Sequence, residues 1–149
     1  MTRGAAWGRA AAVAAAVLLV DQVTKAIVRA DIEPGERIEL LPFFDLVHVR
    51  NDGIAFGALG GSGLVLVLVL VAVTGIVVFF ALNATRRLAW LTTGLLLGGA
   101  LGNVIDRLHQ GHVTDFLKFP HFPAFNVADI AITFGVLSLF LVLDEGRGT

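Results

Sequence analysis

Long apolar runs separated by short polar clusters dominate the chain. Leu64 to Leu82 is uncharged and rich in Leu and Val, with Thr74 and Gly75 as its only soft positions. A bilayer's hydrocarbon core needs about 20 apolar residues of helix to cross, and this run is long enough. A second run begins at Leu88 and reaches Asp106, and a third extends from Asp129 through Leu143. Leu64 to Val78 is rich in β-branched residues, yet lipid offers no partner to an open backbone, so all three runs are read as helices. The first apolar segment, Ala10 to Val20, is short and follows Arg3 and Arg9, as the core of a signal peptide does. Against that reading, the helical pattern continues through Asp21, Gln22, Val23, Thr24 and Lys25 into Val28, with no small-residue cleavage site behind the core. The pattern therefore predicts a membrane all-α fold: a four-transmembrane-helix bundle with spans near 10–29, 64–82, 88–106 and 129–143, forming one domain over residues 1–149.

The polar stretches fall mainly in two segments on one side of these spans. From Ala30 to Ser62, the partly alternating runs Arg37–Leu40 and Leu46–Arg50 flank Pro42 and predict a strand pair, a small β platform on the membrane surface. From Leu108 to Ala128, Phe116, Phe119, Phe122 and Phe125 are interrupted by Pro120 and Pro123. Such a loop suits the interface rather than a span. Four spans place both termini beside the short turn carrying Arg86 and Arg87. Arg3, Arg9 and Arg147 join that side, while Arg29, Arg37, Arg50, Arg107 and Lys118 lie on the other, so the bare count ties. A short loop bearing two arginines is the kind the positive-inside rule describes, which puts the termini in the cytoplasm and the polar segments outside it.

Composition narrows the chemistry. Over 149 residues, 56% are hydrophobic and 15% charged, where soluble chains have roughly 25% charged residues. With a net charge of −1 and no basic cluster, nucleic acid is not an expected partner. Cysteine is absent, which excludes disulfides, thiolate metal sites and cysteine nucleophiles. There is no His-Glu-x-x-His motif, no Gly-x-Ser-x-Gly elbow and no phosphate-binding Gly-rich loop with Lys. His109 and His112 read as interfacial or loop residues, and Ser62 and Ser138 have no base nearby in sequence. Neither a metal nor a cofactor is expected, and no obligate protein partner is evident.

The acids remain. Ionisable groups at membrane depth cost about 2.5–3.5 kcal/mol each on insertion scales, so they need partners or a purpose. Asp21 and Lys25 are four apart on one helical face and form a structural polar pair. Asn103, Asp106 and Arg107 follow the small-residue run Gly98–Gly102, with Asp106 and Arg107 expected to pair architecturally. Asp115 and Asp129 have no evident basic neighbour, and both lie where helices meet the same surface. Asp129 fits equally as a first-turn acid behind an Asn126 N-cap, and Asp115 as a solvated loop acid. If the two converge, their repulsion leaves one protonated and one ionised, the arrangement of an aspartic protease. In a proton-coupled transporter or channel the same acids would relay protons, and a purely structural membrane subunit is the third class.

Five motifs then occur in order: Asp21-Gln22-Val23-Thr24-Lys25, Asn51-Asp52-Gly53-Ile54-Ala55-Phe56, Gly98 through Arg107, Val113-Thr114-Asp115-Phe116, and Phe125-Asn126-Val127-Ala128-Asp129. Over nearly its full length the chain resembles the bacterial lipoprotein signal peptidase family, also called type II signal peptidase. The resemblance implies a catalytic pair of Asp115 and Asp129. It further implies that Asn51, Gly53, Asn103, Asp106, Arg107, Asn126 and Ala128 line or support the site, and that Asp21 and Lys25 hold its architecture. It also implies an aspartyl endopeptidase of the inner membrane that cuts lipidated prolipoproteins just before the diacylglyceryl-modified cysteine, near the extracytoplasmic face. Membrane lipids would be its other partners.

Overall fold

The apolar runs close their backbone hydrogen bonds within themselves, as lipid requires. The computed structural model describes residues 1–53 and 61–145. Among these, helix α1 (Arg3–Asp31) precedes strands β1 (Arg37–Leu41) and β2 (Phe44–Asn51). Helices α2 (Gly61–Asn83) and α3 (Ala89–Gln110) follow, then strand β3 (Val113–Lys118) and helix α4 (Val127–Asp144). Three helices, Arg3–Asp31, Gly63–Asn83 and Val127–Asp144, are long and apolar enough to cross a membrane. Helix α3 has 22 residues, about 33 Å of helix at 1.5 Å per residue, and buries Thr92, Thr93, Asn103 and Asp106 along one side.

Helix α1 begins earlier than the hydropathy suggests. The Thr2 hydroxyl accepts from the Ala5 N–H at 3.3 Å, and the alanine-rich stretch behind it favours helix intrinsically. Large apolar side chains recur at helical spacing on the outer surface: Leu19, Val23 and Ile27 on α1, Val67, Val71 and Val78 on α2, Phe134, Leu137 and Leu141 on α4. Exposed stripes of this length mark a lipid-facing surface.

Inside, small residues set the spacing. A Cβ on Gly98 would come within 2.7 Å of the Val17 Cβ and 2.8 Å of the Ala14 carbonyl oxygen, so α1 and α3 approach backbone to backbone. The Thr92 and Ser138 hydroxyls are 2.8 Å apart and join α3 to α4. At the end holding the N-terminus and the α2–α3 turn, Ala6, Ala10, Phe80, Ala84, Ala89 and Val142 form a closed apolar cluster. Trp7 meets Phe80 edge-on with ring centroids 4.6 Å apart. Arg86 donates to the Val142 carbonyl at 2.8 Å, placing that turn beside the end of α4.

The strands form one antiparallel sheet in the order β1-β2-β3. The two runs around Pro42 are the expected pair, with Arg37 and Asp45 joined as an ion pair across them. The third strand is an addition: Val113–Lys118 pairs with β2, so Phe116–Lys118 is not loop. Beyond it the chain folds back, with mutual backbone hydrogen bonds of 2.9 and 3.0 Å between Leu117 and Phe125. The Phe119 and Phe125 rings stack at 5.9 Å, and Phe44 lies 5.0 Å from Phe119.

Candidate active site

At the end of the molecule away from the apolar cluster, buried polar residues from α1, α3, β3 and α4 converge. Asp21 and Lys25, one turn apart on α1 and both fully buried, pair at 2.8 Å. Lys25 also reaches Asp106 of α3 at 3.2 Å, and Arg29 approaches the same carboxylate at 3.7 Å. Two cations thus face two anions, the pairing that buried charge demands. Gln22 closes the cluster, donating to Asp21, to the Gly102 carbonyl and to Asp106 at 3.2, 3.0 and 3.1 Å.

This arrangement corrects the expected Asp106–Arg107 pair. Successive side chains on a helix do not face each other. Asp106 turns toward α1, while Arg107 donates back to the Asn103 carbonyl at 3.4 Å. The Asp106 oxygen that faces Lys25 also accepts the Thr114 N–H at 2.9 Å, which anchors β3 to α3 directly before Asp115. An oxygen of Asp21 accepts the Ala128 N–H at 2.8 Å, which anchors the start of α4. The Ala128 side chain is fully buried, and a Cβ on Gly99 would fall 2.6 Å from the Ala128 carbonyl oxygen.

Asn126 joins the two candidate acids. It caps α4: its side-chain oxygen accepts the Asp129 N–H at 3.0 Å while the Asp129 carboxylate accepts the Asn126 N–H at 3.1 Å. Such a reciprocal cap is an ordinary way to begin a helix. Its amide nitrogen, however, also donates to Asp115 at 2.8 Å, so one residue holds both carboxylates. Asp129 therefore is the first-turn acid that its position suggests, and it also faces a second acid. Asp115, by contrast, is not a solvated loop acid: it is on β3 and 3% exposed.

Two further amides complete the setting. Asn103 accepts from Lys25 at 3.0 Å and from Asn126 at 3.1 Å through its side-chain oxygen. That fixes its orientation, and its amide nitrogen donates to Asp129 at 3.0 Å. Asn51 stands two residues beyond Val49, the partner of Asp115 in the sheet register, hence on the same face. It donates to Asp115 at 3.0 Å. Its oxygen accepts the Gly53 N–H at 3.0 Å, and Gly53 has φ +67°, a left-handed conformation that glycine adopts without a Cβ penalty. Ile54, Ala55 and Phe56 of the same motif lie outside the described residues.

Burial pushes the Asp115 carboxyl up to about 6 from an ordinary 3.8. The Asn51 hydrogen bond opposes that rise, the Asp129 charge adds to it, and Asn126 and Lys25 oppose it. A carboxyl that keeps its proton beside one that can ionise is a general acid next to a general base. A groove of about 780 Å³ opens beside Asp129, lined by Phe119, Phe122, Phe125, Ile130 and Phe134 among others. Among the described residues no cluster of His, Asp or Glu is arranged to hold a metal ion.

Each of the sequence-derived candidates Asp21, Lys25, Asn51, Gly53, Asn103, Asp106, Asn126, Ala128, Asp115 and Asp129 takes part in this network, and Arg107 touches its edge. Sequence reasoning missed Arg29, Gln22 and Thr114 as members. Arg29 could have been found, since it continues the Asp21–Lys25 face by one more turn.

Known proteins share this framework. The family model described as signal peptidase (SPase) II matches residues 13–144. A lipoprotein signal peptidase of Thermodesulfovibrio yellowstonii is 45% identical over 81% of this chain and 84% of its own length. One from Symbiobacterium thermophilum is 44% identical over 89% and 93%. A bacterial membrane enzyme solved by the in meso method at 1.9 Å resolution superposes with a TM-score of 0.84 at 33% identity, covering 91% of this chain and 92% of that one.

Proposed function

Because the chain belongs to the signal peptidase II family, we propose that its buried acids perform the family's hydrolysis, with Asp115 and Asp129 as the catalytic dyad. The protein is an aspartic-type peptidase that removes signal peptides from lipoproteins. The proton-coupled transporter considered as an alternative is not supported, since the family is one of peptidases.

The observation that carries the residue assignment is the double use of Asn126, whose side-chain amide holds Asp115 and whose backbone N–H holds Asp129. Asp129 in its ionised form takes a proton from water as the water oxygen attacks the scissile carbonyl. Asp115, which retains its proton up to about pH 6, donates a hydrogen bond to the developing oxyanion and passes the proton to the leaving amine. A substrate that excludes water from the dyad extends that retention to higher pH. No cofactor takes part in these steps.

All four helices cross the bacterial inner membrane, α3 included, and residues 1–149 form one peptidase domain. The termini are cytoplasmic, and the dyad lies near the extracytoplasmic face beneath the three-stranded sheet. The loop from Phe119 to Phe125 rests at the interface. A prolipoprotein whose cysteine already carries diacylglycerol is held there by its lipid and signal helix, so the bond before that cysteine meets the dyad from within the bilayer. Remote binding of this kind supplies effective concentration at the reacting bond.

To test this, purified protein in detergent is incubated, with chelator present, with a prolipoprotein with and without the diacylglyceryl group, and the products are weighed by mass spectrometry. The expected product begins at the lipidated cysteine and arises only from the modified substrate. Cleavage elsewhere, or equal cleavage of the unmodified chain, would overturn the proposal.

A further inference from the structure

A second recess, of about 330 Å³, lies where the end of α1, strand β2 and the end of α3 meet. In contrast to the apolar groove beside Asp129, six of its lining side chains are charged or polar: Arg29, Glu33, His48, Arg50, Gln110 and His112. Its depth is marked by the lipid-facing surface. Ile27 is 55% exposed two residues before Arg29, and Leu108 is 64% exposed two residues before Gln110. The recess therefore begins where the exposed apolar stripe ends, the level of lipid headgroups.

His48 supplies a second, independent observation. It is 3% exposed, and its Nδ1 is 2.6 Å from the Ile32 carbonyl oxygen. A carbonyl only accepts, so Nδ1 carries the hydrogen, and Nε2 of the neutral ring is an acceptor. That Nε2 has no hydrogen-bond partner among the described residues, whereas buried polar atoms are normally satisfied. The recess thus offers guanidinium donors from Arg29 and Arg50, and acceptors from Glu33 and His48. A bare anion would suit the arginines but meet the Glu33 carboxylate unfavourably. A group with a phosphate at one end and a hydroxyl or ammonium at the other satisfies both sides.

We propose that this recess binds the headgroup of a membrane phospholipid, with its phosphate on Arg29 and Arg50 and its hydroxyl or ammonium on Glu33 and His48. Arginine suits the phosphate because its planar fork matches two oxygens at once. The contacts of Arg29 with Thr114 and Asp106 both run through Nη1, and the guanidinium has five N–H donors in all. Bound lipid would share Arg29 with the buried charge network next to β3.

Binding is read by native mass spectrometry of the full chain released from detergent micelles, titrated with phosphatidylglycerol, phosphatidylethanolamine or a diacylglycerol of the same chains. Wild type is expected to retain both phospholipids over the diacylglycerol. Arg50→Gln should weaken phospholipid retention about fivefold or more, from loss of one arginine near a phosphate, and leave the diacylglycerol unchanged. Arg50 is exposed, so the variant folds, and helical content by circular dichroism checks that it has. Equal phospholipid retention by wild type and Arg50→Gln would overturn the site. Soluble glycerol 3-phosphate is the last arm: binding as tight as that of the lipids would overturn the membrane assignment and make this a site for soluble phosphate esters. Because binding is measured and not cleavage, the outcome is independent of the peptidase reading.

Discussion

The two ends of the bundle are held by opposite means. At one end, Ala6, Ala10, Phe80, Ala84, Ala89 and Val142 close around each other without a charge, and close packing of small residues suffices to bring the helices together. At the other, Asp21, Lys25 and Asp106 are buried and paired, with half-buried Arg29 beside Asp106, although apolar residues of similar volume often hold a fold equally well or better. The charged end is thus the costlier way to join helices, and its return is positional. Through Thr114, Ala128 and Asn103 the buried charges fix β3, the start of α4 and the amide facing Asp129. One end stabilises; the other also aims.

Variants can separate these roles. The largest stability effect is expected from Lys25→Met, which leaves Asp21 and Asp106 without their shared cation and costs about 3–5 kcal/mol. It should appear first as reduced folded yield in detergent; normal yield and melting would show that the charged end does not hold the helices. Asn126→Ala loses a helix cap, about 1 kcal/mol, and also the side-chain amide that holds Asp115, while its backbone N–H to Asp129 remains. Its cleavage rate should therefore fall far more than its melting temperature, and a proportionate fall in both would reduce Asn126 to a cap. At the apolar end, Phe80→Leu should cost about 1 kcal/mol and leave kcat/KM per folded molecule unchanged; a changed kcat/KM would mean that the two ends are coupled.

A pH series sharpens the comparison without mutation. Because the Asp115 carboxyl is raised to about 6, its proton is present below that pH and lost above it, so kcat/KM should decline as pH rises through about 6. The apolar end has no titrating group in its cluster and should show no matching loss of stability. A rate that instead climbs steadily from pH 5 to pH 8 would contradict the role given to Asp115.

Much of this was legible in the chain because the signals were local. Of the four runs expected to span, those near 10–29, 64–82 and 129–143 lie in helices long and apolar enough to cross a membrane, and the four-residue spacing of Asp21 and Lys25 marked a pair that the fold retains. Pro42 between two alternating runs marked the β1–β2 hairpin. What was illegible depended on distant segments. Strand β3 was masked by the phenylalanines that follow it, and its ladder partner is β2, far back in the chain. The true partner of Asp106 was misread as its neighbour Arg107, because Lys25 reaches α3 only in the folded bundle; its contact with Asn103 joins residues 78 apart in sequence. The same holds for Asp115, whose burial is created by the sheet and α4 and not by its own surroundings in the chain.

The most direct test of the dyad is single-turnover cleavage of a diacylglyceryl-modified prolipoprotein by wild type, Asp115→Asn and Asp129→Asn, each checked for intact helical content. Loss of about a thousandfold or more in both variants, within the range for removing general acid–base groups, is the predicted result. Substantial cleavage by either folded Asn variant would contradict the assignment of Asp115 and Asp129 as the catalytic pair.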